Sequence, residues 1–300
     1  ILFYLNKLSV KEKWIFIKLI LGGLRVGVSS KIIKKSLAKY GNKDIHEIEN
    51  IWNGISVPYN DLFLWLDNKA NQPIIDPSKT FHSFMLATSF DKKLINYVKE
   101  SNSYFFEYKW DGIRVQIVVI DNKVKIYSRS GDDISNSFPE IKIQSKKLII
   151  FDGEMLVGKN KEPLPFNQLQ KRINKKNPSK ALLNSLPSFV KVYDILYING
   201  IDIRNKDLFE RRKILENWFK VNKNNNLDLS ELVNYYSEKK LKETYDKFLY
   251  IEGLMIKNKS SKYISGRKKG FWYKWKRNPK HIDTILMYAQ RGHGKRSSYY

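Results

Sequence analysis

Between residues 71 and 80 the chain changes its hydrophobic period, and that change constrains the fold more than any other feature of the sequence. Upstream, the period is helical and the ends are legible. Ser9 and Glu12 have capping-box spacing before an apolar-rich stretch to Leu21, and Gly22-Gly23 ends it. Ser30 opens KIIKKSLAKY, which stops at Gly41; Asp44 and Glu47 repeat the capping signal before IENIW and Gly54; a fourth helix follows Pro58 with Leu62 and Leu66 on one face. NQPIIDPSKT then carries two prolines and no periodicity, as a linker does. Downstream come YFFEYKW, IRVQIVVI, VKIYSRS, LIIFDGEMLV, FVKVYDILYI and LMIKN, β-rich runs joined by Asp, Asn and Gly turns, with helical stretches near 206–220 and 237–248. The chain therefore reads as α+β, an all-helical unit followed by a sheet domain.

Composition narrows the partners. The 55 Lys+Arg against 30 Asp+Glu give a formal net charge of +25, a long-range field that attracts polyanions, of which nucleic acid is the commonest. A halo of solvated lysines is the competing explanation. Without cysteine, the chain has neither a disulfide framework nor a cysteine-ligated zinc. WIFIKLILGGLRV, the longest apolar stretch, is broken by Lys18 and Arg25 and is too short to span a bilayer. With no secretory signal visible, an intracellular protein is expected.

The chemistry is carried by EYKWDGIR at 107–114. It sets Lys109 between an apolar strand and an Asp111-Gly112 turn, and a lysine amine held near a phosphate is a nucleophile once its surroundings activate it. Neutral amine is needed for attack, so neighbouring cations such as Lys274, Arg114 or a divalent metal are expected to favour deprotonation. Glu107 lies two residues before Lys109, hence on the same strand face. Glu154 in FDGEM and Glu252 in IEGLMIK are carboxylates in apolar strings and need partners, either magnesium with a substrate phosphate or a lysine. Lys274 and Lys276 alternate along one face of WYKWKR behind Trp272. RGHGKRSS lacks the spacing of a phosphate-binding loop.

Taken in order, EYKWDGIR, YSRSGDD with Arg129, FDGEM, VYDILYING with Tyr193, IEGLMIK and WYKWKR resemble the motifs of covalent nucleotidyltransferases, and most of all the ATP-dependent DNA ligases. LGGLRVGVS and its flanking helices resemble the end of the helical DNA-binding domain that precedes the catalytic domain in bacterial ligases of this type. The resemblance implies an antiparallel-sheet, ATP-grasp-like nucleotidyltransferase domain at 80–278, the C-terminal part of a helical DNA-binding domain at 1–72, and the first strand and loop of an OB-fold at 279–300, in a chain cut short at both ends. It implies adenylation of Lys109 by ATP, transfer of AMP to the 5′-phosphate of a nick in double-stranded DNA, and closure by the 3′-hydroxyl.

The same resemblance implies the site roles. Glu107 recognises adenine and Tyr193 stacks on it. Arg114 and Arg129 contact ribose and phosphates, Glu154 approaches the ribose and joins Glu252 in holding Mg²⁺ or Mn²⁺, and Lys274 and Lys276 contact the α-phosphate. Lys268, with Arg267 beside it, stands where the family has an arginine. A monomer acting in the cytoplasm at the nucleoid, away from membranes, is the matching expectation. An RNA ligase, an mRNA-capping guanylyltransferase and a non-catalytic nucleic-acid clamp are the alternatives.

Overall fold

The computed structural model describes residues 2–20, 30–100, 102–173, 175–234 and 250–277, with a few single positions outside those runs. Among the described residues five helices come first: α1 (Leu2–Lys7), α2 (Val10–Ile20), α3 (Ser30–Gly41), α4 (Ile45–Ile51) and α5 (Asn60–Leu66). The capping signals do what their spacing predicts. Glu12 accepts from the Ser9 backbone N–H at 2.8 Å, and Asp44 with Glu47 forms a complete capping box on α4. Ile48, Ile51, Leu62, Trp65 and Leu66 converge into one small core with Ala38 of α3. Gly22-Gly23 and most of LGGLRVGVS lie outside the described residues.

The linker is extended apart from a single 3-10 turn, Pro77–Lys79. It delivers the chain to short strands β1 (Met85–Leu86) and β2 (Thr88–Ser89) and helix α6 (Ile95–Glu100). Then follow β3 (Tyr104–Trp110), β4 (Ile113–Ile120), β5 (Lys123–Ser128), β6 (Ile149–Val157), α7 (Phe166–Gln170), α8 (Lys180–Ser185), β7 (Ser188–Ile198), β8 (Ile201–Asp202), α9 (Leu208–Val221), β9 (Leu227–Leu229), β10 (Ile251–Asn258), β11 (Gly266–Arg267) and β12 (Trp272–Lys276). Each β-rich run of the sequence is a strand. Of the helical stretch expected near 237–248, only Lys239, Glu243 and Phe248 are described, the first two helical. Of 279–300, only 283–285 and 287–288 are described, and they carry no regular structure; the rest of that expected strand lies outside the described residues.

Among the described residues two main sheets result. One has six strands, β5-β4-β6-β7-β8 with β9 against β7, and the other four, β2-β12-β10-β3. Pairing is antiparallel along β5-β4-β6-β7-β8 and along β12-β10-β3, while β9 on β7 and β2 on β12 run parallel. The Asp111-Gly112 turn carries the chain directly from the four-stranded sheet into the six-stranded one. Only glycine fits there, since a Cβ at 112 would lie 2.3 Å from the Met155 carbonyl oxygen.

Alternation sorts the faces of the four-stranded sheet. Phe106, Leu254 and Ile256 pack into an apolar cluster with Leu156 and Phe189, and their neighbours Glu107, Lys109, Met255 and Lys257 are left for the other face. The six-stranded sheet buries its largest cluster against α9 through Leu215 and Trp218. A third cluster joins Val118, Ile150 and Leu196 of this sheet to Met85, Tyr263 and Trp272.

Candidate active site

A cleft of about 770 Å³ opens where the two sheets meet, a size suited to a nucleotide-sized ligand. Its lining includes Glu107, Lys109, Arg114, Arg129, Glu154, Tyr193, Glu252, Lys274 and Lys276. Residues drawn from across about 170 positions of sequence thus share one cleft. Lys268 is outside the lining, whereas Arg267 is part of it. Arg267 is the last residue of β11.

Register explains the convergence. Across three strands, Lys109, Gly253 and Lys276 form one row, and Glu107, Met255 and Lys274 the next. Gly253 keeps the first row close: a Cβ there would sit 2.0 Å from the Trp275 carbonyl oxygen. Glu252 breaks the alternation. Ile251 pairs with Trp110 and Gly253 with Lys109, so Glu252 is the extra residue of a β-bulge, and bulges re-aim side chains. Its carboxylate meets Lys109 Nζ at 2.5 Å and Lys276 Nζ at 3.3 Å. Tyr193 occupies a second bulge, since Asp152 pairs with Asp194 but Gly153 with Val192.

The two ends of the cleft differ in character. At the apolar end, Tyr193, Met255 and Trp272 lie beside a buried ion pair, Lys257 Nζ to Glu107 Oε2 at 2.8 Å. Glu107 Oε1 is buried and has no hydrogen-bond partner. Register sets the other end: Lys109 and Lys276 stand two rows of this face away from Lys257 and Trp272, Lys274 is in the row between, and Arg129 and Arg267 complete the cationic part of the lining. Burial and the neighbouring Lys276, Arg267, Lys109 and Arg129 charges hold the Lys274 ammonium below its ordinary range, as crowding of like charges does.

The carboxylates are differently poised. Burial pushes Glu154 up to about 7 against the pull of Lys109 and Arg114. Burial would also raise Glu252, yet the hydrogen bond and charge of Lys109 keep it below its usual range. Asp111 is raised by burial and by its hydrogen bond to Glu252. Among the described residues no group of three His, Cys, Asp or Glu side chains is arranged to hold a metal. A magnesium ion bound by one or two carboxylates plus substrate phosphate needs no such cage.

Arg114 lines the cleft but is largely spoken for. Its Nε and Nη2 donate to Asp152 at 3.0 and 2.7 Å and its Nη1 to the Met85 carbonyl at 2.6 Å, while the Phe84 ring lies 4.4 Å from the guanidinium. Lys109 Nζ is paired with Glu252 Oε2, the same oxygen that Lys276 Nζ approaches at 3.3 Å. Sequence reasoning gave no role to Lys257, Asp152 or Met255. Lys257 stood in the quoted IEGLMIK string, and its alternation with Met255 was the signal available.

Comparison with known proteins agrees with this geometry. Residues 84–276 match the ATP dependent DNA ligase domain family. The DNA ligase of Methanococcus aeolicus is 33% identical over 310 aligned residues, covering 99% of this chain and 54% of the relative. That of Archaeoglobus fulgidus is 28% identical over 292, covering 94% and 52%. The chain thus spans about half the length of the curated relatives it matches. Among solved structures, the ligase domain of M. tuberculosis LigD superposes with a TM-score of 0.52 at 25% identity, over 65% of this chain and 60% of that one. Mycobacterial DNA ligase D complexed with ATP and MES gives 0.51 at 24%, over the same shares, a likeness of fold. With its matched segment spanning the whole of the cleft, this chain belongs to the ATP dependent DNA ligase domain family.

Proposed function

We propose that the chain carries the nucleotidyl-transfer chemistry of a DNA ligase that seals nicks in duplex DNA with ATP. The observation that carries this reading is the polarity of the cleft: an aromatic end with one unsatisfied buried carboxylate oxygen, and a cationic end holding a lysine amine. A nucleoside triphosphate has the same polarity.

In the first step the Lys109 amine attacks the α-phosphorus of ATP. A P–N bond forms, the bond to the bridging oxygen breaks, and pyrophosphate leaves with the electron pair. The Glu252 carboxylate, 2.5 Å away, is placed to take the proton that the ammonium must lose. In the second step a 5′-phosphate oxygen displaces the lysine; in the third the 3′-hydroxyl attacks that 5′-phosphorus and AMP departs. Positioning and charge neutralisation do most of this work, and Lys274, Lys276, Arg129 and Arg267 supply the charge. Tyr193 stacks on the base, Glu107 reads its edge, and Glu154 faces the ribose. Four of the five Arg114 N–H groups are engaged, counting a long contact of 3.5 Å to Tyr263, which leaves one for a ribose hydroxyl.

Glu252 and Glu154 fit Mg²⁺ or Mn²⁺ as ligands, with the ion neutralising phosphate charge when bound. The net charge of +25 supports nicked double-stranded DNA as partner. A monomer working in the cytoplasm at the nucleoid completes the proposal; no helix among the described residues is long and apolar enough to cross a membrane. The family match and the relatives named DNA ligase favour this reading over an RNA ligase or guanylyltransferase, and the intact set Lys109, Glu154, Glu252, Lys274 and Lys276 favours it over a silent clamp.

The test is covalent labelling. Incubated with ATP and Mg²⁺, the protein is expected to gain the mass of one AMP, mapped to Lys109 and absent in Lys109→Ala. Label on another residue, or no AMP from ATP alongside GMP transfer from GTP in a parallel incubation, refutes it.

A further inference from the structure

We propose that Lys257 is the positioning residue that sets base selectivity, by fixing Glu107 so that one carboxylate oxygen stands as a bare acceptor at the aromatic end of the cleft. The proposal rests on the nucleotidyl-transfer reading above. It deepens it by naming how the base is chosen.

The Lys257 ammonium is 4.2 Å from the Tyr193 ring centroid, 4.5 Å from that of Trp272 and 2.8 Å from Glu107 Oε2. Two π faces and one carboxylate oxygen therefore surround it, a dry and fully used environment. The two side chains are 1% and 2% exposed. Glu107 is thereby held at one oxygen and left unsatisfied at the other, because Oε1 is buried without a hydrogen-bond partner. An unpaired buried acceptor is costly, and it is a standing demand for a donor. Both residues line the cleft. Glu107 and Lys109 are two positions apart on one strand face, about 7 Å along the strand, so the base reader and the amine are separated by room for a nucleoside.

Adenine carries a donor amino group where guanine carries a carbonyl acceptor. A carboxylate oxygen fixed in front of that position accepts from the first and repels the second. Rotation of Glu107 would blur the choice, and the Lys257 ion pair is what prevents rotation. A site built to bond a substrate N–H rejects analogues that lack it far better than an apolar pocket rejects a misfit.

The experiment compares binding of ATP, GTP and purine riboside triphosphate, which lacks the amino group, by calorimetry on the full chain in the Lys109→Ala background, where no transfer intervenes. ATP is expected to bind about 10- to 100-fold more tightly than the purine analogue. In Lys257→Met that ratio should shrink to about threefold or less, while Lys257→Arg restores it in part. Should Lys257→Met not fold, the double variant Glu107→Gln with Lys257→Met, which buries no charge, takes its place with the same expectation. A ratio that survives in the tested variant, or affinities that fall equally for all three nucleotides, overturns the assignment. Normal AMP labelling of Lys109 in the parent protein alongside an unchanged ratio sinks only the Lys257 proposal; a parent that binds and incorporates no nucleotide sinks the transfer reading itself.

Discussion

Strands β3 and β10 hold two lysine–glutamate pairs of opposite sense, and the contrast between them is the lesson of the site. At the inner pair β3 gives the glutamate and β10 the lysine, Glu107 with Lys257, each side chain at most 2% exposed. At the outer pair the donors are exchanged: Lys109 comes from β3 and Glu252 from β10, with exposures of 22% and 32%. The same two residue types on the same two strands serve different ends. Burial makes the inner pair permanent, because neither charge can be left alone in a dry interior. The outer pair is only partly buried, which suits the proposed loss of a proton and attack by the Lys109 amine. A bulge makes the difference possible, since Glu252 reaches Lys109 only as the extra residue opposite a single register step.

Removing one inner partner should show the largest effect. Lys257→Met leaves Glu107 as a buried uncompensated charge, and a loss of about 3–5 kcal/mol is expected, read from the midpoint of urea unfolding. A much smaller loss would mean the two pairs do not differ as described.

Glu154 gives the next effect, with a definite sign. Its folded-state value near 7 lies above the ordinary 4.5, so between those limits the folded protein holds a proton that the unfolded chain has released. Stability from this group is therefore complete below about pH 4.5 and lost as pH rises through 7. Glu154→Gln should stabilise the protein at pH 8 by up to about 3 kcal/mol and by almost nothing at pH 4.5, while AMP transfer falls. Melting curves at the two pH values check it, and a gain of equal size at both would refute the assignment.

The outer pair should matter least to stability. Glu252→Gln, which keeps the shape and loses the charge of a partly buried pair, is expected to cost about 1 kcal/mol, yet to reduce lysine labelling by more than about tenfold through loss of proton acceptance. Unfolding midpoints and labelling rates measured on one preparation separate the two readouts. A variant that labels normally would show that the pair is structural after all.

Much of this was legible in the sequence because local rules sufficed. The Asp44–Glu47 capping box fixes the start of α4 from four residues, and alternation alone places Glu107 with Lys109 and Lys274 with Lys276. Legibility stopped where geometry is set from a distance. Glu252 and Tyr193 sit at bulges, which shift a residue's face according to its partner strand, so strict alternation misplaces both. Arg114 presents itself as a free cation in EYKWDGIR, but Asp152, 38 positions later, binds two of its nitrogens. The choice between Arg267 and Lys268 likewise depended on which side chain lines the cleft, a fact that spacing in a basic run does not contain.

Peptide mapping after incubation with ATP and Mg²⁺ tests the central claim most directly. AMP joined through a P–N bond to Lys109, lost on acid treatment and absent from Lys109→Ala, is the predicted result; AMP on Lys274, Lys276 or Lys257 instead would contradict it.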